Sequence, residues 1–188
     1  MAEPMTLRRS PLMGLEARAG DRVHLVEVPY LAMVGLRLDP HGDAAAAVGR
    51  AIGVSLPTVC GQVSSVGHRH ILWLGPDEWL VVSDESPADL LAVVTQALAG
   101  QHAGVVDLSA NRTVLELTGQ AARSVLEKGC PADLHPRSFG QGRAIVTTLA
   151  RIPVLLWQVG PGAYWVMPRS SLASYVADWL TDAMVEFA

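Results

Sequence analysis

The stretch DLSANRTVLELTGQAARSVLEKGCPADLHP, Asp107 to Pro136, gathers acid, hydroxyl, amide, guanidinium, thiol and imidazole groups into one short segment. Its polar head, Asp107, Ser109, Asn111 and Arg112, has the groups needed to hold an anion. A guanidinium can grip a carboxylate through two parallel hydrogen bonds, which makes Arg112 the candidate ligand-binding residue. The same residue types also build Asx and Ser turns, with Arg112 locked internally to Asp107 or Glu116. Both readings place a polar cluster at a junction between elements.

Other reactive side chains lack the companions their chemistry requires. His68 and His70 fall on one face of a strand and could ligate a metal, but no third ligand stands at a recognisable spacing. Cys130 follows the Gly that ends a helix, whereas a reactive thiol needs a helix N-terminus or a cationic neighbour. It reads as a small buried residue. Gly140-x-Gly142 lacks the third glycine and βαβ setting of a dinucleotide fingerprint and reads as a tight turn. Asp84, Glu85 and Asp89 could supply a base beyond a hairpin, yet acids there also favour the dipole of the next helix. GxSxG, HExxH and Walker-type patterns do not occur.

Composition narrows the class. The chain has 188 residues, enough to bury roughly 70% of the unfolded surface in one domain or two joined halves. Half of it is hydrophobic and only 17% charged. An Ala-rich composition accounts for part of that deficit; a large face buried in a partner accounts for it as well, because interface cores are depleted in Lys, Glu and Asp. A net charge of -4 offers no basic field for nucleic acid. Two separated cysteines, Cys60 and Cys130, suit a reducing compartment, and neither a signal peptide nor a membrane-spanning run stands out, so the expected location is cytoplasmic.

The elements that must position the polar cluster follow from periodicity and breakers. RVHLVEV and LAMVGLRL read as strands separated by Pro29. Asp43 to Ile52 is an Ala-rich helix with Asp43 as its cap and Gly53 at its end. HILWLGPDEWLVVS is a β-hairpin, and Ser86-Pro87 opens an amphipathic helix running toward Gly100. AGVVDLS and RTVLELT are strands, and QAARSVLEK is a helix with Lys128 complementing its dipole before Gly129 and Pro131. Strands at 143–149 and 153–159, a GPGA turn, YWVM and a Ser170/Ser171-capped helix complete the chain.

ILWLGPDEWLVVSDESPADLL and VLLWQVGPGAYWVMPRSSLASYV share one plan: a strand with Trp, a Gly-Pro turn, a second strand with Trp, then a Ser-capped helix. Upstream of each lies a strand and an Ala-rich helix ending in Gly. The expectation is an α+β fold of internally duplicated β-α-β-β-α units, period roughly 80 to 85 residues, related by a pseudo-twofold axis. Residues 1–20 form an N-terminal arm, 21–104 the first half and 105–188 the second, in one folding unit. Four of the five tryptophans fall at apparently equivalent strand positions, and core packing is their default role, with one or two free for an interface.

RRSPLMGLEAR, LWLGPDEWLVV, VVDLSANRTVLELTG, KGCPADLHPRSF, VLLWQV and RSSLASYVADWL together give the chain a resemblance to the gamma subunit of heterotetrameric sarcosine oxidase. More distantly, DLS, a strand, TGxxA and a helix resemble the folate-binding domain of the glycine-cleavage aminomethyltransferase. The resemblance implies a bacterial complex of alpha, beta, gamma and delta subunits that oxidatively demethylates sarcosine to glycine. It implies hydrogen peroxide and either formaldehyde or methylenetetrahydrofolate as further products. FAD, FMN, NAD, tetrahydrofolate and zinc are expected in the partner subunits, and neither cofactor nor catalytic residue in this chain. The expected role is assembly and stability, with Arg8, Arg9, Leu12, Leu15, Trp73 and Trp79 as interface candidates. The alternative is a stand-alone folate or one-carbon-carrier binding module whose Arg112 holds the folate tail.

Overall fold

Alternation along the strands gives each of them two faces to bury, and the fold is organised by that fact. In Ala32–Leu38 the side chains of Ala32, Val34, Leu36 and Leu38 point to one core, while Met33 points to another. A computed structural model describes residues 9–14 and 18–187. It contains β1 (Arg18–Ala19), β2 (His24–Val28), β3 (Ala32–Leu38), α1 (Asp43–Ile52), β4 (Val63–Val66), β5 (Arg69–Gly75) and β6 (Glu78–Ser83). Then follow α2 (Pro87–Ala97), β7 (Ala103–Asp107), β8 (Val114–Thr118), α3 (Ala122–Glu127), β9 (Ala144–Leu149), β10 (Ile152–Gly160), β11 (Ala163–Pro168) and α4 (Ala173–Met184).

The strands form two antiparallel sheets, one in the order β1-β2-β8-β11-β10-β9 and one in the order β4-β5-β6-β3-β7. Three apolar clusters fix the layering. Leu115, Leu117, Val154, Leu156 and Val166 of the six-stranded sheet pack on Val125, Val176 and Leu180 of α3 and α4. Val34, Leu36, Trp79 and Val81 of the five-stranded sheet pack on Val48, Ile52, Leu90 and Val94 of α1 and α2. Between the sheets lie Met33, Leu72, Leu80 and Val82 from one and Val114, Leu155, Trp157 and Met167 from the other. The result is four layers, helix, sheet, sheet and helix, an α+β architecture whose central layer is sheet against sheet.

Strand by strand, β2, β8, β11, β10 and β9 stand in the same order and antiparallel sense as β7, β3, β6, β5 and β4. Both terminal hairpins carry a register irregularity before their Gly, at Trp73/Gly75 and Gln158/Gly160. The connection pattern departs from the expected unit in two ways. Each half contributes β-α-β-β-β-α, because β4 (VSSV), too polar to be read as a strand, pairs with β5. Each half also carries one strand ahead of that unit and lends it to the other sheet: β2 pairs with β8, and β7 pairs with β3. The halves therefore cannot be cut apart at residues 104/105 without unpairing a strand from each.

Some local expectations are corrected as well. Gly42, not Asp43, is the N-cap of α1, and Asp43 sits in the first turn, where its charge favours the helix dipole. Ser170 and Ser171 form a 3-10 turn ahead of α4, and the Ser170 hydroxyl donates to the Ala110 carbonyl, not to α4. Lys128 spans from the end of α3 to the other helix, donating to Ala183 O at 2.6 Å and pairing with Glu186.

Gly119, just past β8, is where the strand exchange is tightest. Its φ is +122°, and an added Cβ would collide with the Arg22 carbonyl at the entry to β2. Strain in that conformation and the backbone clash add, so Gly119→Ala should lower unfolding free energy by about 3 kcal/mol in urea titration. A loss under about 1 kcal/mol would mean that β2 is not held this close to β8.

Candidate functional site at the seam between the sheets

The polar segment from Asp107 to Thr113 carries the chain from the edge of one sheet into the other. Asp107 Oδ1 accepts from Ser109 N at 2.9 Å, and Asn111 N donates to Leu108 O at 2.9 Å, closing two successive turns. Ser109 Oγ accepts from Met33 N at 3.0 Å, and Leu108 N donates to Met33 O at 2.7 Å, which ties the segment to β3. On the other side Arg112 Nη1 donates to Met167 O at 2.9 Å. Arg169 Nη1 donates to Asn111 Oδ1 at 2.8 Å, and Ser170 N donates to Asn111 O at 2.9 Å. Thr113 Oγ1 donates to Glu27 of β2 at 2.6 Å, and Ser10 Oγ donates to the same carboxylate oxygen. Both sheets and the N-terminal segment are laced together here.

Beside this lacing lies a cleft of about 320 Å³, lined by Arg9, Tyr30, Asp107, Ser109, Arg112 and Ser170 over a floor that includes Leu31, Met33 and Val114. The expected internal lock of Arg112 to Asp107 or Glu116 does not form. Asp107 spends an oxygen on the Ser109 amide, and Glu116 accepts from Trp165 Nε1 at 2.9 Å. Arg112 is half-buried against a main-chain carbonyl. Burial lowers its pKa, the nearby Arg169 guanidinium lowers it further, and Glu78 acts in the opposite sense.

The interface candidates distribute unevenly. Arg8 and Leu15 lie outside the described residues. Arg9 is exposed at the rim of the cleft. Leu12, 6% exposed, packs into the core beneath α3 and α4, and Trp79, 0% exposed, is enclosed beneath α1 and α2 with Nε1 donating to Pro57 O at 2.8 Å. Neither can meet a partner, because this chain already covers them. Trp73 is half-buried beside Trp79. Exposed apolar side chains instead include Val106 on β7, Val146 on β9, Tyr175 on α4 and Val185 just beyond it. Sequence alternation marked β7 and β9 as strands but not as edges, so these valines were not singled out.

The remaining candidates have internal roles. Glu85 takes two hydrogen bonds from Arg69, at 2.8 and 2.9 Å, which holds its carboxyl below the usual range. Asp89 lies in the first turn of α2. Cys130 is buried with Sγ 3.8 Å from Thr147 Oγ1, and Cys60 is exposed. Among the described residues no group of three or more His, Cys, Asp or Glu could hold a metal ion. His70 packs on Trp157 with ring centroids 4.9 Å apart, and its Nδ1 and Ser65 Oγ share a 2.8 Å hydrogen bond.

The comparisons with known proteins decide the family. A model described as "Sarcosine oxidase, gamma subunit family" matches residues 37–186. The chain belongs to the sarcosine oxidase gamma subunit family. It is 47% identical to the sarcosine oxidase subunit gamma of Corynebacterium sp. (strain U-96) over 196 aligned positions, covering 100% of this chain and 95% of that one. It is 46% identical to the corresponding subunit of Arthrobacter sp., with the same coverage. A chain in the solved heterotetrameric sarcosine oxidase from Corynebacterium sp. U-96, in complex with pyrrole 2-carboxylate, superposes with a TM-score of 0.91 at 48% identity, covering 96% of each chain. The glycine cleavage system aminomethyltransferase T from Bartonella henselae shares the fold, with a TM-score of 0.66 at 15% identity, over 85% of this chain and 45% of that one.

The His70 environment predicts a pH dependence for this fold. Burial lowers the His70 pKa, the Asp84 charge opposes that shift, and His68 adds to it. The folded state therefore binds the proton less readily than the unfolded chain does. Stability from this group is complete above the ordinary histidine pKa near ~6.5 and is lost as pH falls through the lower folded value. Urea denaturation between pH 7 and pH 5 should show a decline that His70→Gln reduces. An unchanged slope in that variant would assign the decline to other groups.

Proposed function

We propose that this chain is the noncatalytic gamma subunit of a heterotetrameric sarcosine oxidase, contributing to assembly and stability alongside alpha, beta and delta subunits. The observation that carries this reading is the full-length match, in sequence and in backbone, to a chain of a solved heterotetrameric sarcosine oxidase. In this reading the complex demethylates sarcosine oxidatively to glycine, reduces oxygen to hydrogen peroxide and releases the one-carbon unit as formaldehyde or methylenetetrahydrofolate. FAD, FMN, NAD, tetrahydrofolate and zinc reside in the partner subunits, and the complex works in the cytoplasm. Among the described residues no helix is long and apolar enough to cross a membrane.

The seam supports a structural role for the residues that look reactive. Asp107, Ser109, Asn111, Arg112, Thr113 and Glu27 all bind groups of this same chain, joining β2, β3, β7 and β8 with the end of β11. The cleft with Arg9 and Arg112 favours one second reading, binding of a folate or other one-carbon carrier through its carboxylate tail.

Co-expression with the other subunits should bring this chain through size exclusion in a high-mass, flavin-coloured complex, while the chain purified alone is colourless and does not turn over sarcosine. Sarcosine oxidation by the chain alone would overturn the noncatalytic reading. Calorimetric titration of the isolated chain with tetrahydrofolate should give no heat; a saturable signal lost in Arg112→Ala would establish the second reading.

A further inference from the structure

The correspondence between the sheets is uneven at one edge. In the six-stranded sheet β2 is covered on its outer side by β1, with Arg18 opposite Leu25 and Ala19 opposite His24. In the five-stranded sheet β7 takes the place of β2, and among the described residues it pairs only with β3. Through the ladders, His24 pairs with Thr118 and Gly104 with Arg37 at matching positions, so Leu25 corresponds to Val105 and Val26 to Val106. Among the described residues none stands opposite Val105 in the position that Arg18 takes opposite Leu25.

Hydrogen-bond alternation defines what that edge offers. Leu108 N donates inward to Met33 O, so Leu108, Val106 and Gly104 face β3 with their main-chain groups, and Asp107, Val105 and Ala103 face outward. On the other sheet the equivalent outward row is used: Gly20 N donates to Val23 O at 2.9 Å, just ahead of β2. Natural edge strands are blunted by charge, proline or a bulge. From Ala103 to Val106 this edge has none of these, and Val106 is 56% exposed beside it.

We propose that β7 is the docking edge for an extended segment of another subunit of the complex, which adds antiparallel to it as β1 adds to β2 and places an aliphatic side chain beside Val106. Main-chain hydrogen bonds to Val105 supply the attachment, the mode by which strands are added to exposed sheet edges. The inference rests on the proposed membership in a heteromeric complex.

Val105→Pro tests it. Of the main-chain groups the variant removes only an outward N–H, which β3 does not use, and it puts a proline ring in place of the half-buried Val105 side chain that packs on the core under α1 and α2; proline is tolerated on the open side of an edge strand. Val106→Lys is the second variant; it keeps every main-chain group and sets a charge against the incoming strand. Both isolated chains should unfold within a few degrees of the unsubstituted chain, and both should bind the remaining subunits at least about tenfold more weakly in a pull-down titration. The Val105 amide should exchange rapidly in the isolated chain and slowly in the complex. The proposal is overturned by folded variants that assemble with undiminished affinity, or by a Val105 amide already protected in the isolated chain. If Val105→Pro does not fold, the affinity of Val106→Lys decides. Failure of the unsubstituted chain to join any complex would overturn the proposed function itself, whereas normal assembly of both variants would overturn only this edge assignment.

Discussion

Strand exchange is the constraint on which the structure depends. The chain lays β2 into one sheet before it begins the other with β3, and it adds β7 to the second sheet before returning to the first with β8. Neither sheet is complete until both halves are present. The apolar layer between the sheets, built from Met33, Leu72, Leu80 and Val82 against Leu155, Trp157 and Met167, also requires both at once. Cooperativity between the halves therefore follows from topology as well as from buried area, each of these fully enclosed side chains contributing about 1.5–3 kcal/mol. The polar seam lies at this crossing because the chain must change sheets there, and a chain that changes sheets leaves main-chain groups that side chains have to satisfy.

Much of this was legible in the sequence. The helices, the two Gly-Pro hairpins and their repetition, and the join near Asp107 all follow from periodicity and breakers. The tryptophans show where such reading stops. In the sequence pattern Trp73 corresponds to Trp157 and Trp79 to Trp165; in the hairpin pairs Gly75–Glu78 and Gly160–Ala163 the registers instead set Trp79 against Tyr164 and Leu80 against Trp165. One residue of offset changes the face in a strand. Trp73 and Trp79 consequently lie under helices, while Trp157 and Trp165 meet between the sheets with ring centroids 5.1 Å apart. Trp79 and Leu12 were expected at a partner surface because apolar residues near turns and arms resemble anchors, but depth is a tertiary property that local pattern does not carry.

The polar segment was legible in place but not in partners. That Arg112 would be satisfied could be anticipated; that Met167 O would satisfy it, with Arg169 turned to Asn111, depends on the return of β11 beside β8 more than fifty residues later. Likewise VSSV becomes a strand because β5 offers it a partner, and its own side chains give little β signal. These are cases in which the ladder decides the local structure.

The low surface charge takes on meaning against this background. The chain has 17% charged residues and keeps its tryptophans buried or half-buried; among the described residues the exposed large apolar side chains are Met13, two tyrosines and several valines, on strands, loops and the last helix and its end. Attachment through such a surface draws on main-chain groups and shape, which are directional, more than on a broad hydrophobic patch. Directional attachment suits a subunit whose own frame is rigid. The laced seam supplies that rigidity, since Asp107 and Ser109 fix one end of β7 to β3 by hydrogen bonds that involve no group on its outward edge apart from the Asp107 carboxylate. The reactive-looking residues and the outer edge of β7, which no described strand pairs with, are thus two parts of one arrangement: the first hold β7 in register, and the second presents its outer main chain.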